Sequence, residues 1–327
     1  MTLDEVSNGK WFSENKHLFF KKYTDEELIK DIHQFLYESG RLNVFFSHFF
    51  DECLYKCCGY NKRPLNKEHP ESSPYEALNS DTFIENAFAI IERNPKFFNG
   101  DAISNLKSFF RNKRPRKVAN FPVREAQRLV FSLFPEYDMF EPPLNIHDAC
   151  CGFGSRMSSA LLSGCNYYGT DVNEELIQCL ETSSSFLRKN HFTRGKTDIR
   201  LQGSEERIEE WVGKMDISFT SPPYFNLEYY SNDSYKSSQN YHNYDLWKKE
   251  FVRPTCENIH SYLKNGGYAL INIKNLSSKQ PLFDDFVEEF LKLGMKRLSD
   301  EQIHISSKTW NKEETFNENV MRFQKIS

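Results

Sequence analysis

The segment best suited to chemistry in this chain joins a hydroxyl, two prolines and an aromatic ring in four successive residues: Ser221, Pro222, Pro223 and Tyr224. The apolar run directly before it, at 215–219, predicts a buried strand. Two successive prolines cannot continue a strand, because each lacks a backbone donor and fixes φ. The segment therefore predicts a rigid corner at the carboxyl end of a strand, where open α/β sheets bind ligands. Its hydroxyl, carbonyls and aromatic face suit a flat ring that carries an amino group.

A glycine-containing segment follows a second predicted strand, at 144–149, and opens a helix. Its candidate binding residues are Asp148, Cys150, Gly152, Phe153 and Gly154. Glycine lets the backbone approach a ligand closely and turn sharply. The spacing is not G-x-G-x-x-G and no Gly-Lys-Ser/Thr follows, so pyrophosphate binding is less favoured. The acid Asp148 would repel a phosphate but suits a cationic ligand.

Two further predicted strands end in polar side chains. Asp171, followed by Val172, lies about twenty residues beyond the glycine segment, where an acid accepts hydrogen bonds from ribose hydroxyls. Ser204 follows the third strand and is placed to meet an adenine edge. A ribonucleoside without phosphates fits this set, and S-adenosylmethionine fits it with the sulfonium near Asp148 and the ribose near Asp171. The alternative for the glycine segment is an ordinary tight turn with capping acids.

Size and composition limit the class of protein. The 327 residues suffice for one large or two ordinary domains, and the net charge of -4 excludes a globally basic nucleic-acid binder but not a local basic patch. We expect no membrane span, since no apolar run approaches about 20 residues. We expect no signal peptide, since residues 1–5 lack the basic start and apolar core of one. Eight cysteines that include the adjacent pair Cys150 and Cys151 predict a reduced, cytoplasmic protein. Cys53 and Cys57, with His48 nearby, lack a second ligand pair and predict core packing, so no metal is expected.

The first part of the chain predicts helices, beginning with a capping box from Thr24 to Glu27. Further helices are predicted at 44–58, 80–91 and 101–110, with a loop at 61–74. A basic strip without acids then follows: Lys107, Arg111, Lys113, Arg114, Arg116 and Lys117. It is either a solvated linker or a phosphate-contacting surface. Pro115 marks a boundary between a helical domain at 1–117 and a second domain at 118–327.

The second domain alternates helices and strands, which predicts a doubly wound, mostly parallel, seven-stranded Rossmann-like sheet. The predicted strands lie at 144–149, 167–170, 199–202, 217–220 and 268–273, and a closing antiparallel hairpin lies at 302–306 and 319–326. The predicted helices lie at 121–134, 154–163, 174–189, 244–263 and 283–293. The binding segments named above all fall at strand ends of this one sheet.

In this order on one sheet, the segments 148–154 and 220–224 resemble the amino-methyltransferases of nucleic acids, over roughly the last two thirds of the chain. Those enzymes use S-adenosylmethionine to methylate N6 of adenine or N4 of cytosine in DNA. The resemblance implies a base flipped into a pocket, with Tyr224 and Phe225 stacked on its face. It implies that Ser221 Oγ and the Pro222 carbonyl accept hydrogen bonds from the amine. It adds Phe121, next to the cofactor's methionine end, and Thr220 to the cofactor site.

The target base and its recognition stay open. In the family that the chain resembles, serine at the first position of the corner is more frequent in cytosine-N4 enzymes, so the resemblance favours cytosine N4. Adenine N6 stays open because serine accepts from either amine. In the long polar loop after the corner, Glu228 either contacts the base ring or is a solvated carboxylate. Arg156 is expected to pair with an acid rather than with a phosphate.

Only a short tail follows the last central strand, so the helical first domain is the candidate for target recognition. DNA is the expected partner, and the basic strip is its expected phosphate contact through Lys113, Arg114 and Arg116. A restriction enzyme as a second partner stays open. Two other functions stay open as well: an RNA or protein amine methyltransferase of this fold, and a non-catalytic nucleic-acid-binding subunit of a methyltransferase complex.

Overall fold

The structure, a computed structural model, describes residues 11–57, 73–96, 100–112, 120–138, 142–225, 241, 243–277, 279–308 and 313–326. These residues belong to two compact units. One takes the chain as far as Ala119, and the other takes most of the chain from Asn120 onward. No helix among the described residues is both long and apolar enough to cross a bilayer.

The first unit is helical in the described ranges. Its helices are α1 (Trp11–Phe19), α2 (Asp25–Tyr37), α3 (Asn43–Lys56), α4 (Pro74–Leu78), α5 (Asp81–Glu92) and α6 (Ala102–Asn112). The predicted capping box is confirmed: Thr24 Oγ1 accepts from Glu27 N at 3.2 Å, and Glu27 Oε2 accepts from Thr24 N at 2.9 Å. Ser73 and Glu76 form a second box, so Pro74, predicted as the end of a loop, instead opens α4.

Aromatic side chains form the core of this unit. The rings of Phe12 and Phe19 meet edge to face at 5.8 Å, and those of Phe19 and Tyr55 at 5.2 Å. Cys53 and Cys57 are buried, and His48 Nδ1 accepts from the backbone of Tyr23. Within the described ranges, no three His, Cys, Asp or Glu side chains are grouped as a metal ion would require.

The second unit is built on a sheet. Its strands are β1 (Asn145–Asp148), β2 (Asn166–Asp171), β3 (Thr197–Leu201), β4 (Met215–Thr220), β5 (Leu263–Asn272), β6 (Lys296–Arg297), β7 (Glu301–Lys308) and β8 (Glu313–Gln324). Its helices are α7 (Val123–Phe131), α8 (Ser155–Leu162), α9 (Glu174–Lys189), α10 (Tyr244–Trp247), α11 (Arg253–Tyr262) and α12 (Leu282–Lys292). A 3₁₀ turn occupies Glu209–Trp211, and a π turn at Lys248–Val252 joins α10 to α11.

The strand order is β3-β2-β1-β4-β5-β8-β6, with β7 paired to β8. Strands β1 to β5 are parallel, and β8 runs antiparallel to both β5 and β6. The predicted doubly wound, mostly parallel Rossmann-like sheet with closing antiparallel strands is confirmed. The predicted count of seven is wrong, because the described residues contain an eighth strand, β6. Its two residues are too few to leave a periodic pattern.

The central strands are buried because helices cover the sheet. Ile217, Phe219 and Leu270 are at most 1% exposed, as expected for parallel strands. Helix α9 packs against β2 and β3, and α11 packs against β5. The chain order of the strands reverses between β1 and β4, which are neighbours. A crevice is expected at such a switch point, beyond the carboxyl ends of both strands.

Candidate functional site

The glycine segment and the proline corner lie side by side at the switch point. Strands β1 and β4 pair in parallel, with Ile146 opposite Ile217 and His147 opposite Ser218. The loop after β1 and the corner after β4 therefore leave the same edge of the sheet. A hydrogen bond joins them directly, since Cys150 N donates to Thr220 Oγ1 at 3.1 Å. Thr220 is fully buried, so its hydroxyl holds the loop to the strand.

Glycine is required twice in the loop itself. Gly152 has φ +54° and Gly154 has φ +72°, in the left-handed region that side chains with a Cβ rarely adopt. Gly154 is also the N-cap of α8, so the chain turns from the loop straight into the helix. These two residues set the path of the backbone where a ligand would approach it.

Asp148 lies under the loop rather than at its surface. Its carboxylate is fully buried and accepts from Arg156 Nε at 2.8 Å and from Tyr167 Oη at 2.9 Å. Arg156, itself 7% exposed, also donates to the carbonyl of Cys150 at 2.6 Å. The predicted ion pair of Arg156 with an acid is present. The expected direct contact of Asp148 with a sulfonium does not match this burial, because Asp148 holds Arg156, and Arg156 holds the loop.

Asp171 joins the same loop from β2. Its Oδ2 accepts from Gly152 N at 3.1 Å, and its Oδ1 accepts from Asn173 N at 3.1 Å. A carboxylate has about four lone-pair positions, so acceptor capacity remains for a ligand. Burial under the loop raises the pKa of Asp171 to about 6, against the lowering effect of these backbone hydrogen bonds. The side chain is half-buried, and Val172 after it is half-buried as well.

Ser204 is fixed after β3 by helix α11. Its Oγ lies 2.8 Å from Thr255 Oγ1, and its carbonyl accepts from Asn258 Nδ2 at 2.9 Å. Cys150 Sγ lies 4.0 Å from Ser204 Oγ. Burial raises the pKa of the Cys150 thiol, so that thiol stays protonated. The segment that follows β3 therefore reaches the loop, and the contact of Ser204 with an adenine edge stays a prediction.

The loop is also held from the α7 side. Asn120 Nδ2 donates to the carbonyl of Phe153 at 3.1 Å. The half-buried ring of Phe121 meets that of Phe219 edge to face at 5.5 Å. Phe121 therefore lies against β4 just before the corner, on the side where α7 begins.

The corner itself is tied to β5. Ser221 Oγ donates to the carbonyl of Asn272 at 3.0 Å, and Asn272 Oδ1 is 3.4 Å away. Ser221 and Pro223 are half-buried, while Pro222 is buried and Tyr224 is 8% exposed. A base that stacks on Tyr224 therefore requires neighbouring side chains to move.

Phe225 is placed differently from the expectation. Its ring meets Tyr244 edge to face at 5.3 Å and lies 5.6 Å from Trp247. Its φ is +48°, which is rare for a residue with a bulky side chain. The side chain is 7% exposed, so Phe225 packs against α10 and offers no open face to a base.

Four predicted substrate contacts lie outside the described residues: Lys113, Arg114, Arg116 and Glu228. They stay predictions. The structure also shows site residues that the sequence reasoning missed, namely Asn120, Tyr167, Thr255, Asn258 and Asn272. Of these, only Asn272 carried a usable signal, because it lies at the carboxyl end of a predicted parallel strand. The other four act through contacts that no motif or spacing records.

The chain is similar to several solved structures at low sequence identity. Magnesium protoporphyrin IX methyltransferase from Synechocystis, solved with bound S-adenosylmethionine, is 13% identical with a TM-score of 0.43, over 72% of this chain and 96% of that one. A SAM-dependent methyltransferase from Methanosarcina mazei is 12% identical with a TM-score of 0.41, over 59% and 97%. A SAM-dependent O-methyltransferase from Thermotoga maritima is 9% identical with a TM-score of 0.40, over 64% and 68%.

No family model and no curated protein sequence matches the chain. At TM-scores below 0.5, the similar structures do not assign a cofactor or a substrate to it. The strand order of the sheet and the residues at its carboxyl edge are therefore the basis for a function.

Proposed function

We propose that this protein is an S-adenosylmethionine-dependent methyltransferase that modifies the exocyclic amine of a base in DNA. The observation that carries the proposal is the adjacency of two segments at the switch point. The loop with Gly152 and Gly154 is bonded through Cys150 N to Thr220, the residue directly before Ser221. A cofactor site and an amine-acceptor site would thus share one edge of the sheet.

The residues of the loop fit the cofactor. Two left-handed glycines leave the backbone open to close approach, and Asp171 keeps acceptor capacity for ribose hydroxyls. The carboxylate of Asp171 opposes a phosphorylated ligand, whereas S-adenosylmethionine carries no phosphate. Ser204 lies at the end of β3 for the adenine edge. When bound, the cofactor would supply an electrophilic methyl group on its sulfonium.

The corner fits the acceptor side of the reaction. Ser221 Oγ and the Pro222 carbonyl would accept hydrogen bonds from the two hydrogens of the amine. Those bonds turn the nitrogen lone pair out of conjugation with the ring and toward the methyl carbon. Tyr224 would hold the ring by stacking. The base must leave the helical stack to reach these groups.

The chain's residues need to position the reactants rather than to remove a proton first. The amine nitrogen forms the new bond to the methyl carbon as the carbon–sulfur bond breaks, and that electron pair stays on sulfur. The amine hydrogen becomes acidic only after nitrogen is methylated, and then leaves to solvent. Orientation and fixed hydrogen-bond acceptors therefore carry the rate.

Cytosine N4 is the proposed target, with adenine N6 as the alternative within the same class. The support for cytosine is the serine at the first position of the corner, in line with the family resemblance. The corner itself does not distinguish the two bases, because a hydroxyl accepts from either amine.

Transfer of a labelled methyl group from S-adenosylmethionine to DNA, RNA and protein, offered separately, tests the proposal. We expect label in DNA only. Ser221→Ala and Tyr224→Ala should abolish transfer while leaving cofactor affinity by calorimetry much less changed, and the exposed Glu209→Ala serves as the control. Label in RNA or protein instead of DNA would show that RNA or protein is the substrate. Failure of the wild-type chain to bind the cofactor would support the alternative function, a non-catalytic nucleic-acid-binding subunit of a methyltransferase complex.

A further inference from the structure

Ser221 has a fixed hydrogen-bond partner on the neighbouring strand. Strands β4 and β5 pair in parallel with Thr220 opposite Ile271, so the next residue on each, Ser221 and Asn272, are neighbours too. Ser221 Oγ lies 3.0 Å from the main-chain oxygen of Asn272 and 3.4 Å from its side-chain oxygen. Asn272 is 3% exposed. Two oxygens on a buried residue therefore face this one hydroxyl.

That arrangement fixes the role of the hydroxyl. A serine side chain has one hydrogen to donate and two lone pairs that accept. The oxygens of Asn272 take the hydrogen, which leaves the lone pairs for another partner. Ser221 can therefore act toward an incoming amine only as an acceptor, and its direction is set before the amine arrives.

We infer that Asn272 is a positioning residue, and that it restricts position 221 to side chains that donate and accept at once. The effect of Asn272 on catalysis rests on the proposed function, whereas its hydrogen bond with Ser221 does not. A neutral hydroxyl or amide satisfies both demands. An ionised carboxylate does not, because it has no hydrogen and its charge would face two oxygens at close range.

Ser221→Asn and Ser221→Asp test this as a matched pair, since the two side chains have nearly the same size and shape. The amide can donate to Asn272 and accept from the amine. We therefore expect the kcat of the Ser221→Asn variant to stay within about tenfold of wild type at pH near 8, with saturating cofactor and DNA. Under the same conditions, the kcat of the Ser221→Asp variant should fall about 10²-fold or more. Ser221→Thr, which keeps the hydroxyl, should resemble the Ser221→Asn variant.

The pH profile separates this role from a merely structural one. The carboxyl that Ser221→Asp introduces regains a hydrogen to donate when it is protonated, and Ser221→Asn introduces no group that titrates in this way. The kcat of Ser221→Asp, divided by that of Ser221→Asn, should therefore rise as the pH falls. Equal kcat for the two variants at all pH values would overturn the inference, and so would a Ser221→Asp variant more active than Ser221→Asn at pH near 8.

Folding stability provides a second measurement that needs no activity. The urea midpoint of Ser221→Asp should lie below that of Ser221→Asn at pH near 8, and the two should converge at low pH. Coincident midpoints at both pH values would overturn the inference. The wild-type protein could also be inactive while the two urea midpoints differ at pH near 8 and converge at low pH. That result would contradict the proposed function but support the pairing of Asn272 with position 221.

Discussion

Asp171 is the residue whose ionisation should matter most for cofactor binding. It accepts from the backbone of Gly152 and Asn173, and its pKa is raised to about 6 by burial. Above that pH the carboxylate is ionised and can accept from ribose hydroxyls. As the pH falls through about 6, protonation removes an acceptor, so the affinity must fall on the acid side.

We expect the affinity for S-adenosylmethionine to weaken toward about tenfold per pH unit below about pH 6, because one proton must be released for binding. Asp171→Asn should weaken binding about 10- to 100-fold at neutral pH and make it independent of pH. Titration calorimetry from about pH 7 to 5 measures both effects. A wild-type affinity that does not change over this range would contradict the role of Asp171.

Single residues also show where sequence reasoning ended. The type and place of Asp171 and Ser221 were predictable, because both follow apolar runs that predict parallel strands. The burial of Asp148 was not, since it depends on Arg156 from α8 and Tyr167 from β2 meeting under one loop. The family resemblance implies that Phe225 stacks on the base beside Tyr224. The position of Tyr244 and Trp247 beside Phe225 is a tertiary contact without a sequence signal.

At the scale of elements, the contact between the loop and β2 depends on a glycine. A Cβ on Gly169 would lie 2.3 Å from Cys151 Sγ and 2.8 Å from Tyr167 Cε1. Both neighbours are buried, so neither can move away without disturbing the loop or the strand. The close approach of β2 to the loop that follows β1 therefore requires the absence of a side chain.

Gly169→Ala is expected to destabilise the protein by about 1–3 kcal/mol through overpacking, and to weaken cofactor binding by displacing the loop. Urea unfolding and calorimetry measure the two effects. Gly203→Ala is the stability control, because the three atoms nearest to its Cβ all belong to the end of the flexible Glu205 side chain, the closest at 2.5 Å. Equal losses of stability in both variants would show that the close contact at Gly169 is not the cause of the loss.

Periodicity predicted the elements that carry the site. Helix α9 occurs at the predicted residues, and the central strands differ from prediction by a few residues at their ends. Helix α1 and the 3₁₀ turn at Glu209–Trp211 were not predicted, and two further short elements, β6 and α4, were missed for opposite reasons. Strand β6 has no pattern to read, whereas α4 has a capping box from Ser73 to Glu76 that the polar composition of the preceding segment obscured.

At the scale of the whole molecule, target recognition is assigned to the helical first unit, and this stays a prediction. The chain is acidic overall, with a net charge of -4, so DNA affinity must come from a local basic surface. The basic strip is the strongest candidate in the sequence, because six cations occur there without an acid.

Replacing Lys113, Arg114 and Arg116 with alanine should weaken DNA binding to a similar extent on all sequences. The slope of log affinity against log salt should fall by roughly three, one for each lost phosphate contact. A control with the same charge change replaces the exposed Lys214, Lys292 and Lys296 and should keep the wild-type slope. An unchanged slope in the first variant would identify the strip as a solvated linker.

The central claim is that Ser221 and its neighbours deliver a base amine to the methyl group of S-adenosylmethionine. Analysis of nucleosides by mass spectrometry, after purified protein acts on DNA with the cofactor, tests it most directly. We expect N4-methylcytosine with the wild-type chain and none with Ser221→Ala. N6-methyladenine as the product would show that adenine is the target base, and the protein would still be a DNA amino-methyltransferase. A wild-type protein that binds the cofactor yet leaves DNA without a methylated amine would contradict the account.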